Sequence, residues 1–429
     1  MISHPDIYEH RRCRACQGAL RESVNLGPLK LNAFPATRSE LDQILAVPLI
    51  LTYCTECSLV QLDRTVPPDW LYRQYWYRSG VNEMMIEELD RVVARGIEES
   101  GLGRGDRVLD VGANDGTLLS HYSQPGRPRV ERVAVEPAQN LHDQLRSRCA
   151  ILIPDYFPHG TQNLPAGGYR LITAVACAYD TEHPLEFFTE IARLLHPRGV
   201  AVVQFQDFAQ QLTTTAFDNI CHEHLEYYTL WSLTPILARA GLRVVRVEQT
   251  PINGGSLRVY LRPASWVGIA DISLAGQLAA EASLGLDIPT VRAGISPAFA
   301  AFGRRIRQRT IQIRAALAAA LDENRVVDVY GASTKGNILL QVLGLGPQEI
   351  RQAIDRSPEK TGRLTLTGIP IVGEEGARVE PADVWLCPIW QFRESALRRE
   401  RWYLEQGGTI LFPLPQVELV RESWRVPGG

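Results

Sequence analysis

Apolar runs alternate with amphipathic stretches along most of this chain, and the alternation stops and starts again. Beyond residue 100, short apolar runs bounded by glycine, proline or charge predict strands over 107–111, 131–136, 150–153, 171–176, 200–206, 242–248 and 257–262. Runs without polar alternation suit strands covered on both faces, as in a parallel sheet. Helical patterns lie between them. One helix is predicted over 83–98, and another over 184–195, stopped by His196-Pro197-Arg198-Gly199. Thr234-Pro235 reads as the N-cap and first residue of a later helix that Gly241 ends. Together these predict an α/β fold with a doubly wound sheet, in which ligands lie at the carboxyl ends of the strands. The loops after Ala176 and Gln206 should then face a ligand.

Residues 263–323 read as helical. Phe299, Phe302, Ile306, Ile313, Leu317 and Leu321 form one stripe, and Arg304, Arg305, Arg307, Arg309 and Arg314 predict a solvated face opposite it. The α/β pattern resumes with strands over 326–330, before Asp355, and within 385–390 and 409–413. The first 65 residues differ: Pro28, Pro35 and Pro48 interrupt a segment with little periodic apolar sequence. The expected organisation is a small module (1–65), a central α/β domain (66–262), a helical linker (263–323) and a C-terminal Rossmann-like domain (324–429).

Composition narrows the class. Of 429 residues, 45% are hydrophobic and 22% charged, and the net charge is −3. That is ordinary for a globular protein and supplies no polybasic surface for nucleic acid or anionic membrane. No apolar run reaches the ~18 residues that a membrane span needs. Met1-Ile2-Ser3-His4-Pro5-Asp6 has neither the basic nor the apolar part of a signal peptide, so a cytoplasmic location is expected.

Four of the eight cysteines form two C-x-x-C pairs, Cys13/Cys16 and Cys54/Cys57; Cys149, Cys177, Cys221 and Cys387 are scattered. Each pair can aim two thiolates at one ion, and four thiolates complete a closed tetrahedral zinc shell. A structural zinc would supply the stability that the small module's poor core does not.

Candidate chemistry gathers in four places. Val108-Leu109-Asp110-Val111-Gly112-Ala113-Asn114-Asp115-Gly116 is a strand opening through two glycines onto a helix, where a Cβ would block a close ligand and free N–H groups face it. A strand ending in Glu136 follows, and its carboxylate can accept both hydroxyls of a ribose. Ahead of this loop stands the aromatic segment Tyr72-Arg73-Gln74-Tyr75-Trp76-Tyr77-Arg78-Ser79. The densest titratable stretch is Asp218-Asn219-Ile220-Cys221-His222-Glu223-His224-Leu225-Glu226-Tyr227-Tyr228. It is not H-E-x-x-H. In extended backbone His222 and His224 would share one side and Glu223 take the other. A histidine there can remove a proton, with a carboxylate to support it. Asn253-Gly254-Gly255-Ser256 reads as a turn, and Gly331-Ala332-Ser333-Thr334-Lys335-Gly336-Asn337 as a second anion cradle or a Rossmann lobe without a ligand of its own.

The D-x-G-x-x-D-G turn resembles the first motif of class I S-adenosylmethionine (SAM) methyltransferases. The whole order of pieces resembles the sugar C-methyltransferase family of bacterial deoxysugar pathways. The marks are the two cysteine pairs, 111–116, His222-Glu223-His224, Gly254-Gly255-Ser256-Leu257-Arg258, 330–337 and Phe412-Pro413-Leu414-Pro415. The resemblance implies a zinc-binding N-terminal domain, a class I methyltransferase core and a C-terminal Rossmann-like domain. It implies methylation at C3 of a nucleotide-linked 4-keto-6-deoxy sugar, with His224 as base and Glu223 supporting it. His222 and Cys221 complete the candidate catalytic group. Asp110, Gly112, Asn114, Asp115, Gly116, Glu136, Tyr75, Tyr77 and Ser79 are the candidates for SAM. The aromatics would either wall the sulfonium or simply pack the domain entry. Tyr227, Tyr228, Asn253, Arg258, Ser333, Lys335 and Asn337 are the candidates for substrate, with Lys335 near the phosphates. Cys221 replaces a tyrosine and Asn253 a histidine common in such proteins, and Leu364-Thr365-Leu366-Thr367-Gly368-Ile369-Pro370 replaces a Pro-Gly-His-type turn, so an altered sugar pocket is expected. An O- or N-methyltransferase and a non-catalytic SAM-binding protein are the alternatives. The expected partner is a small molecule such as a nucleotide sugar, and the sequence pattern leaves the oligomeric state open.

Overall fold

The computed structural model describes residues 6–421, so Met1–Pro5 of the segment read for a signal peptide lies outside the described residues. The N-terminal module supplies strands β1 (Leu20–Lys30), β2 (Ala46–Cys54) and β3 (Val60–Leu62). The central region follows with α1 (Glu83–Ser100), β4 (Arg107–Val111), β5 (Glu131–Val135), β6 (Ile151–Ile153) and β7 (Tyr169–Val175). It continues with α2 (Pro184–Leu194), β8 (Leu195–Gln206), β9 (Glu226–Tyr227), α3 (Leu230–Arg239), β10 (Leu242–Thr250) and β11 (Ser256–Pro263).

Seven strands form the central sheet in the order β10-β11-β8-β7-β4-β5-β6. Strands β4 to β8 pair in parallel, and β11 runs antiparallel between β8 and β10. Val108, Leu109, Ala134, Leu171, Ile172 and Val202 are all at most 1% exposed, which is why their segments lack polar alternation.

Helix α3 starts earlier than its proline suggests. Thr229, not Thr234, is the N-cap, with Ser232 completing a capping box, and Pro235 lies inside the helix. Two first-turn N–H groups, of Leu230 and Trp231, donate to the buried Glu281 carboxylate at 2.8 and 3.1 Å. That anion at the positive end of the helix places the start where the local proline signal does not.

After α4 (Ala298–Asp322) comes a six-stranded sheet from β12 (Val327–Tyr330), β13 (Ala353–Asp355), β14 (Ile371–Gly373), β15 (Val384–Leu386), β16 (Thr409–Phe412) and β17 (Glu418–Val420). Its order is β14-β13-β12-β15-β16-β17, with only β17 antiparallel. Helix α5 (Thr334–Leu343) follows β12, capped by the Ser333 hydroxyl. The apolar stripe of α4 is buried, and Phe299 stacks on Tyr53 of the N-terminal module at 3.9 Å. Its arginines are not merely solvated. Arg305 donates to the Leu212 carbonyl at 2.7 Å, and Arg309 and Arg314 reach the Pro415 and Leu343 carbonyls. Helix α4 thus ties the central and C-terminal regions together.

The N-terminal module does not close its own sheet. The order is β9-β3-β2-β1, so the edge strand is lent by the central region, with Glu226 opposite Gln61 and Tyr227 opposite Val60. Cys13, Cys54 and Cys57 pack in one apolar cluster with Leu230 and Leu233 of α3. The poor core expected from the sequence is made good by borrowed strand and borrowed surface.

Candidate active site and metal centre

A cavity of about 480 Å3 opens at the carboxyl ends of β4, β5 and β7 and runs to the loop before β9 and the start of α5. At its first end the backbone of Gly112 is left-handed (φ 67°), as is that of Asn114 (φ 51°). A Cβ on Gly112 would stand 2.9 Å from the Cys177 side chain, and one on Gly116 2.8 Å from Leu145. The two glycines are therefore required by backbone angle and by protein neighbours. The Glu136 carboxylate accepts the N–H groups of Asn114 at 2.7 Å and Ala138 at 2.8 Å. Burial pushes it up to about 7, and Asp110, bonded by the Thr173 hydroxyl at 2.7 Å, likewise to about 7.

Asp115 does not line the cavity; its carboxylate bonds the Gly80 N–H at 2.8 Å and the Thr117 N–H at 3.0 Å. The Asn114 side chain bonds the Ser79 N–H at 3.0 Å and the Tyr77 carbonyl at 3.1 Å. Together they sew the aromatic segment onto the glycine loop, and Tyr75, Tyr77 and Ser79 line the cavity beside it. Gly116 lies behind the loop, outside the cavity wall.

At the other end stand Cys221, Glu223 and His224. The loop carrying them turns and is not extended, so the shared face expected for His222 and His224 does not exist. His222 points away, with Nε2 donating to the Val47 carbonyl at 3.0 Å, and burial holds it down at about 4. His224 sits edge-on to Tyr179 with centroids 4.6 Å apart, its Nδ1 3.2 Å from the Asn219 carbonyl. That bond makes Nδ1 the protonated nitrogen and leaves Nε2 with a lone pair. Burial and the Lys335 charge bring His224 down to about 3, so it is neutral at pH 7. Burial pushes Glu223 up, and its carbonyl accepts the Tyr72 phenol at 2.6 Å.

Four proposed substrate contacts lie elsewhere. Tyr227 accepts the Cys221 N–H at 3.3 Å, and Tyr228 donates to the Ala178 carbonyl at 3.2 Å; neither lines the cavity. Arg258 is buried in the sheet, paired with Glu88 at 2.6 Å and Glu248 at 3.0 Å. Asn337 braces Leu366 and Ala33. Asn253, Ser333 and Lys335 do line the cavity, and the Lys335 ammonium donates to the Asn253 carbonyl at 2.9 Å, with Asp218 as its nearby anion. The sequence reading missed Tyr179, Asp180, Gln206 and Gln391 as lining residues, and gave Asp218, which also lines the cavity, no role within its titratable stretch. The loops after Ala176 and Gln206 were expected at the ligand from topology, but no motif marked Tyr179, Asp180 or Gln206, and nothing pointed to the C-terminal loop of Gln391.

The cysteine site stands apart from this cavity. All four sulfurs lie within 4.8 Å of one another, with Cys13–Cys57 at 3.6 Å and Cys16–Cys54 at 3.4 Å, and none is in a disulfide. Zn–S bonds near 2.3 Å at tetrahedral angles give sulfur separations of about 3.8 Å, which these match. The shell is complete with thiolates alone, so it serves structure.

Three family models cover most of the chain: "Putative zinc binding domain" over 13–72, "Methyltransferase domain" over 77–247 and "C-methyltransferase C-terminal domain" over 251–415. The "C-methyltransferase NovU" of Streptomyces niveus is 32% identical over 378 residues, spanning 87% of each chain. The chain belongs to the C-methyltransferase family. It is a SAM-dependent methyltransferase with a four-cysteine zinc site. Among solved structures, a SAM-dependent methyltransferase from Aquifex aeolicus matches at 20% identity over 42% of this chain and 97% of its own, TM-score 0.32. One from Leishmania major matches at 18% identity over 43% and 76%, TM-score 0.34. Among the described residues no helix of this C-methyltransferase is long and apolar enough to cross a membrane.

Proposed function

We propose that this enzyme methylates the carbon next to the ketone of a nucleotide-linked keto-deoxysugar. The observation that carries this is one continuous cavity with Glu136 and the glycine loop at one end and neutral His224 beside Glu223 at the other. SAM supplies a methyl carbon made electrophilic by its sulfonium, and the electrons of the breaking C–S bond stay on sulfur. Glu136 would accept the ribose hydroxyls, and Tyr75 and Tyr77 would wall the sulfonium end. Nε2 of His224 takes the proton α to the ketone, and the electrons left on that carbon form the new C–C bond. Glu223 supports the imidazolium, and the Lys335 ammonium favours the enolate oxygen electrostatically. Asp180, Gln206 and Asp218 each present a buried oxygen without a hydrogen-bond partner, which suits an acceptor rich in hydroxyl donors. The small Cys221 leaves room beside them, so a sugar other than a thymidine-linked 3,4-ketosugar is expected.

Incubation with SAM and a panel of nucleotide 4-ketosugars should give products heavier by one methylene, and the new methyl should resonate as carbon-bound. His224→Ala should keep SAM binding and lose turnover by about 10^2- to 10^4-fold. A methyl found on oxygen or nitrogen would replace this reading with an O- or N-methyltransferase.

A further inference from the structure

The loop that carries Glu223 and His224 is held from the side of the cysteine site. The second knuckle, Cys54–Cys57, is the turn of the β2–β3 hairpin, and β3 is the strand on which β9 is laid. The Leu62 N–H reaches the Leu225 carbonyl at 2.9 Å, and His222 bonds Val47 of β2. The first knuckle adds one residue, Arg14, whose side chain is only 1% exposed. Its backbone N–H donates to Gln61 Oε1 at 2.9 Å, Nη1 to the Leu62 carbonyl at 2.6 Å and Nη2 to Thr65 Oγ1 at 2.7 Å. Its Nε lies 3.4 Å from Glu182 and 3.8 Å from Glu226, the first residue of β9.

Glu226 makes this contact consequential. Its side chain is fully buried, and both carboxylate oxygens lack a hydrogen-bond partner. Burial and the neighbouring Glu182 push the Glu226 carboxyl up, and the Arg14 charge pulls it down; without that cation the buried acid must take up a proton or move toward water, and the strand bearing it is disturbed with it. The N–H groups of Leu225 and Glu226 both donate to the Tyr179 carbonyl, at 2.9 and 3.0 Å, and the Tyr179 ring is the one packed against His224. A shift of β9 therefore reaches His224 through the chain and through its ring neighbour.

We propose that Arg14 is a positioning residue for the methyl transfer: through Glu226 and β3 it makes the metal-held knuckles set where Glu223 and His224 stand. This rests on the reading of His224 as the base, so the first readout is one that needs no acceptor. Hydrogen exchange is followed in peptides covering 222–229 of the zinc-loaded full chain, for wild type, Arg14→Met and Arg14→Met/Glu226→Gln, together with zinc content, S-adenosylhomocysteine binding and turnover.

Arg14→Met should keep its zinc and its affinity for S-adenosylhomocysteine, exchange at 225–228 about tenfold faster, and lose turnover by about 10- to 100-fold, as for partners that orient reacting groups from behind. Adding Glu226→Gln, which removes the buried acid that Arg14 offsets, should return exchange most of the way to wild type. A merely structural ion pair would recover exchange in the double variant without moving turnover in either variant. Wild-type exchange in Arg14→Met, or no recovery in the double variant, would overturn the proposal. Should Arg14→Met not fold, Arg14→Lys keeps the charge without the fork: faster exchange at the same peptides supports the proposal and wild-type exchange overturns it. A wrong choice of sugar would silence turnover in wild type as well and leave the exchange comparison standing.

Discussion

The carboxylate of Glu136, at the end of one strand, holds the backbone N–H of Asn114, in the loop after the neighbouring strand, at 2.7 Å. The acid thus shapes the glycine loop and still faces the cavity with lone pairs to spare. Glu136→Gln should weaken S-adenosylhomocysteine binding by about 10- to 100-fold, as expected for loss of charge-assisted hydrogen bonds of ~1.5–3 kcal/mol. Calorimetric titration checks this, and unchanged affinity would separate Glu136 from the ribose.

The same group predicts a pH dependence. Burial pushes Glu136 up to about 7 in the free protein, and ribose hydroxyls favour the charged form. Affinity should fall as pH drops below about 7, and binding there should release a proton. For folding the sign is opposite: a raised carboxyl favours the fold most below its unfolded pKa, and that contribution is lost as pH rises through 7. Titrations near pH 6 in buffers of different ionisation enthalpy give the proton count; equal apparent enthalpies would refute the coupling.

His222 should prove a stability residue. Held down at about 4, it must gain a proton on unfolding at mildly acid pH, so its contribution is present above the unfolded value of 6.5 and lost as pH falls toward 4. His222→Gln should retain turnover, cost about 1 kcal/mol from the Val47 bond, and narrow the drop in melting temperature between pH 7 and pH 5. Turnover lost together with intact folding would return His222 to the catalytic group.

Cys16 is exposed, whereas Cys13, Cys54 and Cys57 are buried. Cys16→Ser should lower zinc affinity by removing one thiolate from the shell, and chelator should then strip the metal at concentrations that leave wild type loaded. Metal analysis after dialysis reads the outcome. Retention equal to wild type would show that the other three thiolates suffice.

Much of the site was legible because its signals are local. The cysteine pairs need only two-residue spacing to aim their thiolates, and the first motif needs only a strand, a turn and three left-handed positions, Gly112, Asn114 and Gly116. Glu136 could be placed because strand length and a following acid are adjacent in sequence. Arg258 and Asn337 matched family motifs equally well, yet one is locked between Glu88 and Glu248 and the other braces Leu366. Motif membership did not distinguish a residue lining the cavity from one packed behind it.

Local sequence determined the strands of the central sheet, the metal ligands, the glycine loop and the clustering of His222, Glu223 and His224, since each depends on backbone preference or spacing over a few residues. Tertiary structure decided which histidine faces the cavity, where α3 begins, and that β9 completes the cysteine module's sheet. Those outcomes depend on Val47, Glu281 and Gln61, partners far away in the chain, whose hydrogen bonds and burial outweigh the local rule.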